Sequence, residues 1–140
     1  MKQPESAVGH NNMHVSSAAA AAGRLLMSII FLLSGFQKLG GFNGTVGYMA
    51  SLNLPLPELA AIVAIVVECV GGLLVLVGYQ TRGVGLALAV WCVATAIVAH
   101  SHLGEPEQAI NFLKNLAMCG GFLQLVAFGG GNWSLDARKG

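Results

Sequence analysis

Charge is what this 140-residue chain has least of: seven basic and six acidic residues, 9% of the total, against roughly 25% in an average soluble domain. So small a complement cannot clothe a water-soluble fold of this length. A net charge of +1 with no basic run leaves nothing to track a phosphate backbone, so nucleic acid is excluded as a partner. Cysteine is scarce too. Cys69, Cys92 and Cys119 stand singly in apolar stretches, an odd number without a CxxC spacing. Neither a disulfide framework nor a zinc site is indicated, and the thiols read as buried packing groups.

What is present is apolar sequence, 55% of the chain, gathered into long runs. Residues 1–17 (MKQPESAVGHNNMHVSS) are polar and aperiodic and read as a poorly ordered cytoplasmic tail. From Ala18 to Leu39 the chain is apolar apart from Arg24 and Gln37-Lys38, and long enough to span the ~30 Å hydrocarbon core. Arg24 inside that run, with no small-residue cleavage site closing it, argues against a cleaved signal peptide. A Gly-rich link ending in Pro55 and Pro57 opposes helix continuation, and a second run follows with Glu68 as its one interior charge. The turn from Gly78 to Gly83 allows only a tight return, so the second and third spans are antiparallel neighbours.

The expected architecture is an all-α integral membrane domain over 18–136, a four-helix transmembrane bundle with spans at about 18–39, 58–77, 84–102 and 108–128 and a short tail at 137–140. Basic residues favour the cytoplasmic side of short loops. Lys2, Arg24, Arg82, Arg138 and Lys139 fall on one side and Lys38 borders the other, which predicts N-in/C-in.

Charges inside a bilayer are expensive, about 2.5–3.5 kcal/mol each at a helix centre, so they pair, face the bundle interior or line a functional cavity. Glu68 lies about 15 Å below Glu58, near the midplane. Lys114 lies about 9 Å from the outer boundary with a stem that reaches further. His100, His102 and Lys38 close their spans on that same side. Helical spacing puts Glu68 on a stripe with Ala61, Ala64, Gly71 and Gly72, and His100 on one with Gly85, Ala89, Cys92 and Ala96. Lys114 aligns with Asn111, Ala117 and Gly121, Asn115 is displaced to the adjoining face, and Arg24 and Lys38 share a face with Ser28, Phe31 and Gly35.

Two accounts of this convergence stand side by side. In one, Glu68 pairs with Lys114 or Lys38 and the pair only fixes helix packing. In the other, the groups line a pocket open to lipid that holds an apolar ligand with polar ends, as a quinone headgroup requires. His100-x-His102 cannot chelate a metal on a regular helix, and no facing histidines suit haem. Ser34, Thr95 and the thiols lack a His–Asp arrangement for nucleophilic catalysis, and no internal repeat suggests a transporter. Trp91 reads as a packing group.

Several segments in order, RLLMSIIFLLSGFQKL, LPLPELA, ECVGGLLVLVGYQTR, AIVAH and FGGGNWSLD, resemble the DoxX family of small four-helix membrane proteins, over about Arg24 to Asp136. The positions matching the family pattern are Lys38, Glu68 with Gly71 and Gly72, Arg82 and His100. The resemblance implies a bacterial inner-membrane location and an association with quinone-linked redox complexes handling sulfur, thiol or oxidative stress. Read together, residues and resemblance lead to the expectation of a quinone-interacting subunit of a membrane redox complex, with a soluble redox enzyme subunit as partner and no covalent or metal cofactor. Glu68 is the proton acceptor, and Lys38, His100, Lys114 and Asn115 are the ligand contacts. The alternative is a non-catalytic membrane scaffold or assembly factor, and enzyme activity of this chain alone stays open.

Overall fold

The computed structural model describes residues 5–139, with side chains from Ser16 onward. Among them are five α-helices, one 3-10 turn and no strand. Helix α1 (Glu5–Gly40) begins well before Ala18. Residues 1–4 of the expected tail lie outside the described residues, and the rest of it continues the first helix. Five consecutive alanines, Ala18 to Ala22, supply the physical reason, since once a helix is nucleated each further turn is cheap. The Gly-rich link also differs from a plain connection, because it contains α2 (Phe42–Ser51). No proline interrupts that stretch before Pro55, and the Thr45 hydroxyl donates to the carbonyls of Lys38 and Gly41 across the break between the two helices.

Proline occupies the start of both α3 (Pro57–Val77) and α5 (Pro106–Phe128), where a missing N–H leaves no hydrogen bond unmade. Gly78 ends α3 at φ 69°, and the amides of Gly78 and Tyr79 return to the carbonyls of Val75 and Leu74. This left-handed closure needs no side chain and suits glycine. Helix α4 (Thr81–Ala99) starts and stops three residues earlier than the sequence spacing predicts, leaving His100 as its cap and His102 in the exposed loop. Its early start is secured from the other end of the chain: the Asp136 carboxylate accepts from Gln80 N–H, Thr81 N–H and the Thr81 hydroxyl at 2.7–2.8 Å. These N–H groups belong to the first turn of the helix and have no intrahelical partner.

Residues beyond α5 therefore do not trail away. They fold back so that Leu135 N–H and Asp136 N–H donate to the carbonyls of Val77 and Gly78, and a 3-10 turn covers Asp136–Arg138. Gly140 of the expected 137–140 tail lies outside the described residues.

Helix α1 packs along α3, α4 packs along α5, and α2 rests on α3. The T-shaped pair Phe31–Phe122, with ring centroids 5.2 Å apart, ties α1 to α5 in a core shared with Val75, Leu88 and Cys92. Three of the four expected inward stripes are buried as read: Arg24, Ser28, Phe31 and Gly35 on α1, the Glu68 stripe on α3, and the small residues of α4. The α5 stripe is corrected. Asn115, Phe122 and Leu125 face inward, while Lys114 and Ala117 are exposed. Lysine can reach water along its own stem and asparagine cannot, so turning Asn115 inward is the cheaper arrangement.

Four helices, Ser16–Gly40 of α1 together with α3, α4 and α5, are long and apolar enough to cross a membrane. Large apolar side chains on their outer faces, such as Leu26 at 69% and Val90 at 61% exposure, suit contact with acyl chains and not water.

Candidate functional site

Every Cα–Cβ bond leans toward the N-terminus of its helix. In α1 that direction runs from the His100 end of the bundle toward the Arg24 end, and in the antiparallel α3 it runs the other way. Lys38 and Glu68 are offset by roughly 5 Å along the bundle, on the rise per residue counted from Gly35, which lies level with Glu68. Their side chains lean toward one another and close the gap: Lys38 Nζ donates to Glu68 Oε2 at 2.8 Å. The same ammonium donates to the Ser34 hydroxyl one turn below. Of the two pairings the sequence left open, the structure selects Lys38.

Lys114 obeys the same geometry with the opposite result. It lies on α5, whose N-terminus is at the His100 end, so its stem leans away from Glu68, and among the described residues it has no hydrogen-bond or carboxylate partner. Asn115, buried beside it, donates to the Asn111 carbonyl at 3.0 Å. His100, capping α4, places Nδ1 2.8 Å from Gln108 Oε1 and so ties the end of α4 to the start of α5. In the neutral tautomer that donates from Nδ1, the other ring nitrogen is an acceptor.

Two cavities adjoin the ion pair. The larger, about 650 Å³, lies between α2, α3 and α4, and its apolar walls include Met49, Leu52, Leu59, Val63 and Val98, with Lys38, Glu68 and His100 among its few polar groups. The smaller, about 290 Å³, is lined by residues of α1, α4 and α5 and is more polar: Ser34, Asn111, Lys114 and Asn115 join the same three groups. Lys38, Glu68, Trp91, Thr95 and His100 border both, forming a shared wall.

All five site residues named from the sequence border one or both cavities, but they do not form one cluster. Lys38, Glu68 and His100 touch both spaces, whereas Lys114 and Asn115 touch only the smaller. Sequence reasoning missed the α2 contribution of Tyr48 and Met49, because no signal marked the link as helical. Trp91 packs against the core, as the sequence suggests, and borders both cavities as well. Trp91 lies one residue from Cys92 on α4, on the flank of the buried stripe, and only tertiary packing shows that a cavity opens there. No three His, Cys, Asp or Glu side chains are grouped to hold a metal ion among the described residues.

Fold and site define a multi-pass helical membrane protein with a buried ion pair set between two unequal cavities. The chain belongs to the DoxX family, whose profile matches residues 19–101. It is 40% identical over 120 residues to "Inner membrane protein YphA" of Escherichia coli, covering 82% of this chain and 86% of that protein. "Inner membrane protein YqjF" of the same organism is 38% identical over 113 residues, 81% and 85% of the two chains. "Putative oxidoreductase CatD" of Bacillus subtilis is 35% identical over 74 residues, about half of each chain. No solved structure matches significantly. The protein is thus a multi-pass protein of the bacterial inner membrane.

Proposed function

We propose that the larger cavity binds the headgroup of a quinone or similar lipid-soluble redox compound, and that the protein serves as a quinone-interacting subunit of a membrane redox complex. The observation carrying this reading is an apolar cavity of about 650 Å³ with an ammonium, a carboxylate and an imidazole among its few polar groups. Most pockets for such ligands combine apolar walls with a small number of placed polar groups. A bound quinone supplies reversible two-electron, two-proton chemistry. Lys38 donates to a carbonyl oxygen, and Glu68, freed from part of its pairing as Lys38 turns to that oxygen, takes up a proton. His100, with its second nitrogen as acceptor, is suited to receive the other. As the quinol gives up these two protons, its two electrons pass to a redox group on a partner subunit, and the oxidoreductase name of one relative agrees with that role. The basic residues Arg24, Arg82, Arg138 and Lys139 gather at the other end of the bundle, which would place the site in the outer leaflet.

Trp91, in the cavity wall, provides the test. In a Trp133→Phe background its emission reports on the cavity, since quinones are electron acceptors that quench indole. Titration with a short-chain benzoquinone in detergent is expected to quench saturably, and the Lys38→Met/Glu68→Leu double variant is expected to lose that saturation. A linear response equal in both proteins, with no quinone extracted from purified material, would end the proposal. The scaffold reading is favoured by the same ion pair and by the close glycine contacts around it, and it predicts that outcome.

A further inference from the structure

Lys114 poses a problem that the larger cavity does not solve. It lies eight residues into α5, about 12 Å from the start of the helix, without a carboxylate among the described residues to balance it. Although its stem can reach toward the interface, a lysine rooted within a membrane span is a functional-site candidate by default. Its surroundings have one sign of charge to spare. Across the smaller cavity the Glu68 carboxylate is already paired at 2.8 Å with Lys38, so the Lys114 ammonium is left as a positive charge without a counter-ion. The uncharged groups facing the space are hydrogen-bonding ones. Asn115 is 9% exposed, uses one amide hydrogen on the Asn111 carbonyl, and retains a second donor where the cavity meets it.

We propose that the smaller cavity is an anion site: it holds one small carboxylate or oxyanion between the Lys114 ammonium and the Asn115 amide. A volume of about 290 Å³ is ample for a small anion of a few heavy atoms. One negative charge would cancel the uncompensated Lys114, giving a site with no net charge in a low-dielectric region. The anion stands on the opposite side of the Lys38–Glu68 wall from the larger cavity. Either a free ion from the outer aqueous phase or the phosphate of a lipid headgroup has the required chemistry.

Thermal stability and Trp91 emission of the Trp133→Phe protein in neutral detergent, at constant ionic strength held by a bulky sulfonate, measure the binding. Formate, nitrate, sulfate and phosphate form one arm, and phosphatidylglycerol in mixed micelles the other. Saturable stabilisation in either arm, weakened about tenfold or more in Lys114→Met and retained in Lys114→Arg, is the expected result, since a charge-assisted hydrogen bond is worth about 1.5–3 kcal/mol. The responding arm identifies the source. Lys114 is exposed, so its replacement leaves the fold intact, and Asn115→Ala is expected to weaken binding as a second variant. Equal responses in wild type and Lys114→Met, or none in both arms, overturn the site and leave Lys114 as a side chain reaching the membrane interface. Neither outcome depends on whether the larger cavity takes a quinone.

Discussion

Lys38 and Glu68 show how strongly a charge inside a membrane domain depends on its partner. The carboxylate is 8% and the lysine 26% exposed, so both have left bulk solvent. Replacing Lys38 by Met strands the carboxylate, and loss of one member of such a pair costs about 3 kcal/mol or more. Replacing both, as Lys38→Met with Glu68→Leu, is expected to restore stability to within about 1 kcal/mol of wild type, because well-packed apolar groups match or better a buried pair. Unfolding of the two variants in detergent by denaturant checks the difference. A pair that only locks the bundle is expendable by this test, so the double variant separates a structural role from a binding one when its quinone response is also measured.

At the scale of helices, glycine acts in two opposite ways. A Cβ at Gly35 would stand 3.1 Å from the Cys69 backbone nitrogen and 3.2 Å from Glu68 Cβ, so α1 and α3 touch along their backbones immediately below the site. Gly35→Ala must push the helices apart and is expected to cost about 1–3 kcal/mol, with a matching fall in melting temperature. Gly44 and Gly47 on α2 face open space instead, and both have helical backbones. Alanine there removes backbone entropy from the unfolded chain without a clash, and each substitution is expected to stabilise α2 by about 0.4–1 kcal/mol. Protease resistance of the 40–57 segment reports that change directly. A helix with no buried residue, resting over the larger cavity, owes little of its stability to packing.

The whole molecule is closed at the end opposite the site by a clamp that no single helix contains. Buried Arg24 of α1 donates to the carbonyls of Val75 and Leu76 at the end of α3 and to that of Trp133 in the returning C-terminus. A cation at the C-terminal end of α3 also meets the favourable end of its dipole. Asp136 completes the clamp on the first turn of α4. Burial pushes its carboxyl up, but the hydrogen bonds from Thr81 and Gln80, with Lys139 nearby, outweigh that and hold it below the ordinary aspartate value. A depressed carboxyl contributes stability above its unfolded pKa and loses that contribution as pH falls through its folded value. Melting temperature is therefore expected to drop as the medium is taken below about pH 4. Asp136→Asn should flatten that drop and lower stability at neutral pH by about 1 kcal/mol, the usual worth of a helix cap.

The sequence by itself determined the solvent of this protein, the number of its spans and three of the four faces they bury, because hydropathy and helical period are local properties of the chain. It also supplied the family and the polar residues that border the cavities. What only the tertiary structure decided depends on direction and on distant partners. Helix polarity sends Lys38 toward Glu68 and Lys114 away from it, and Asp136 fixes the start of a helix 55 residues earlier in the chain. Neither α2 nor the division of the site into two cavities carries a periodic signal, since both arise from how finished helices lie against one another.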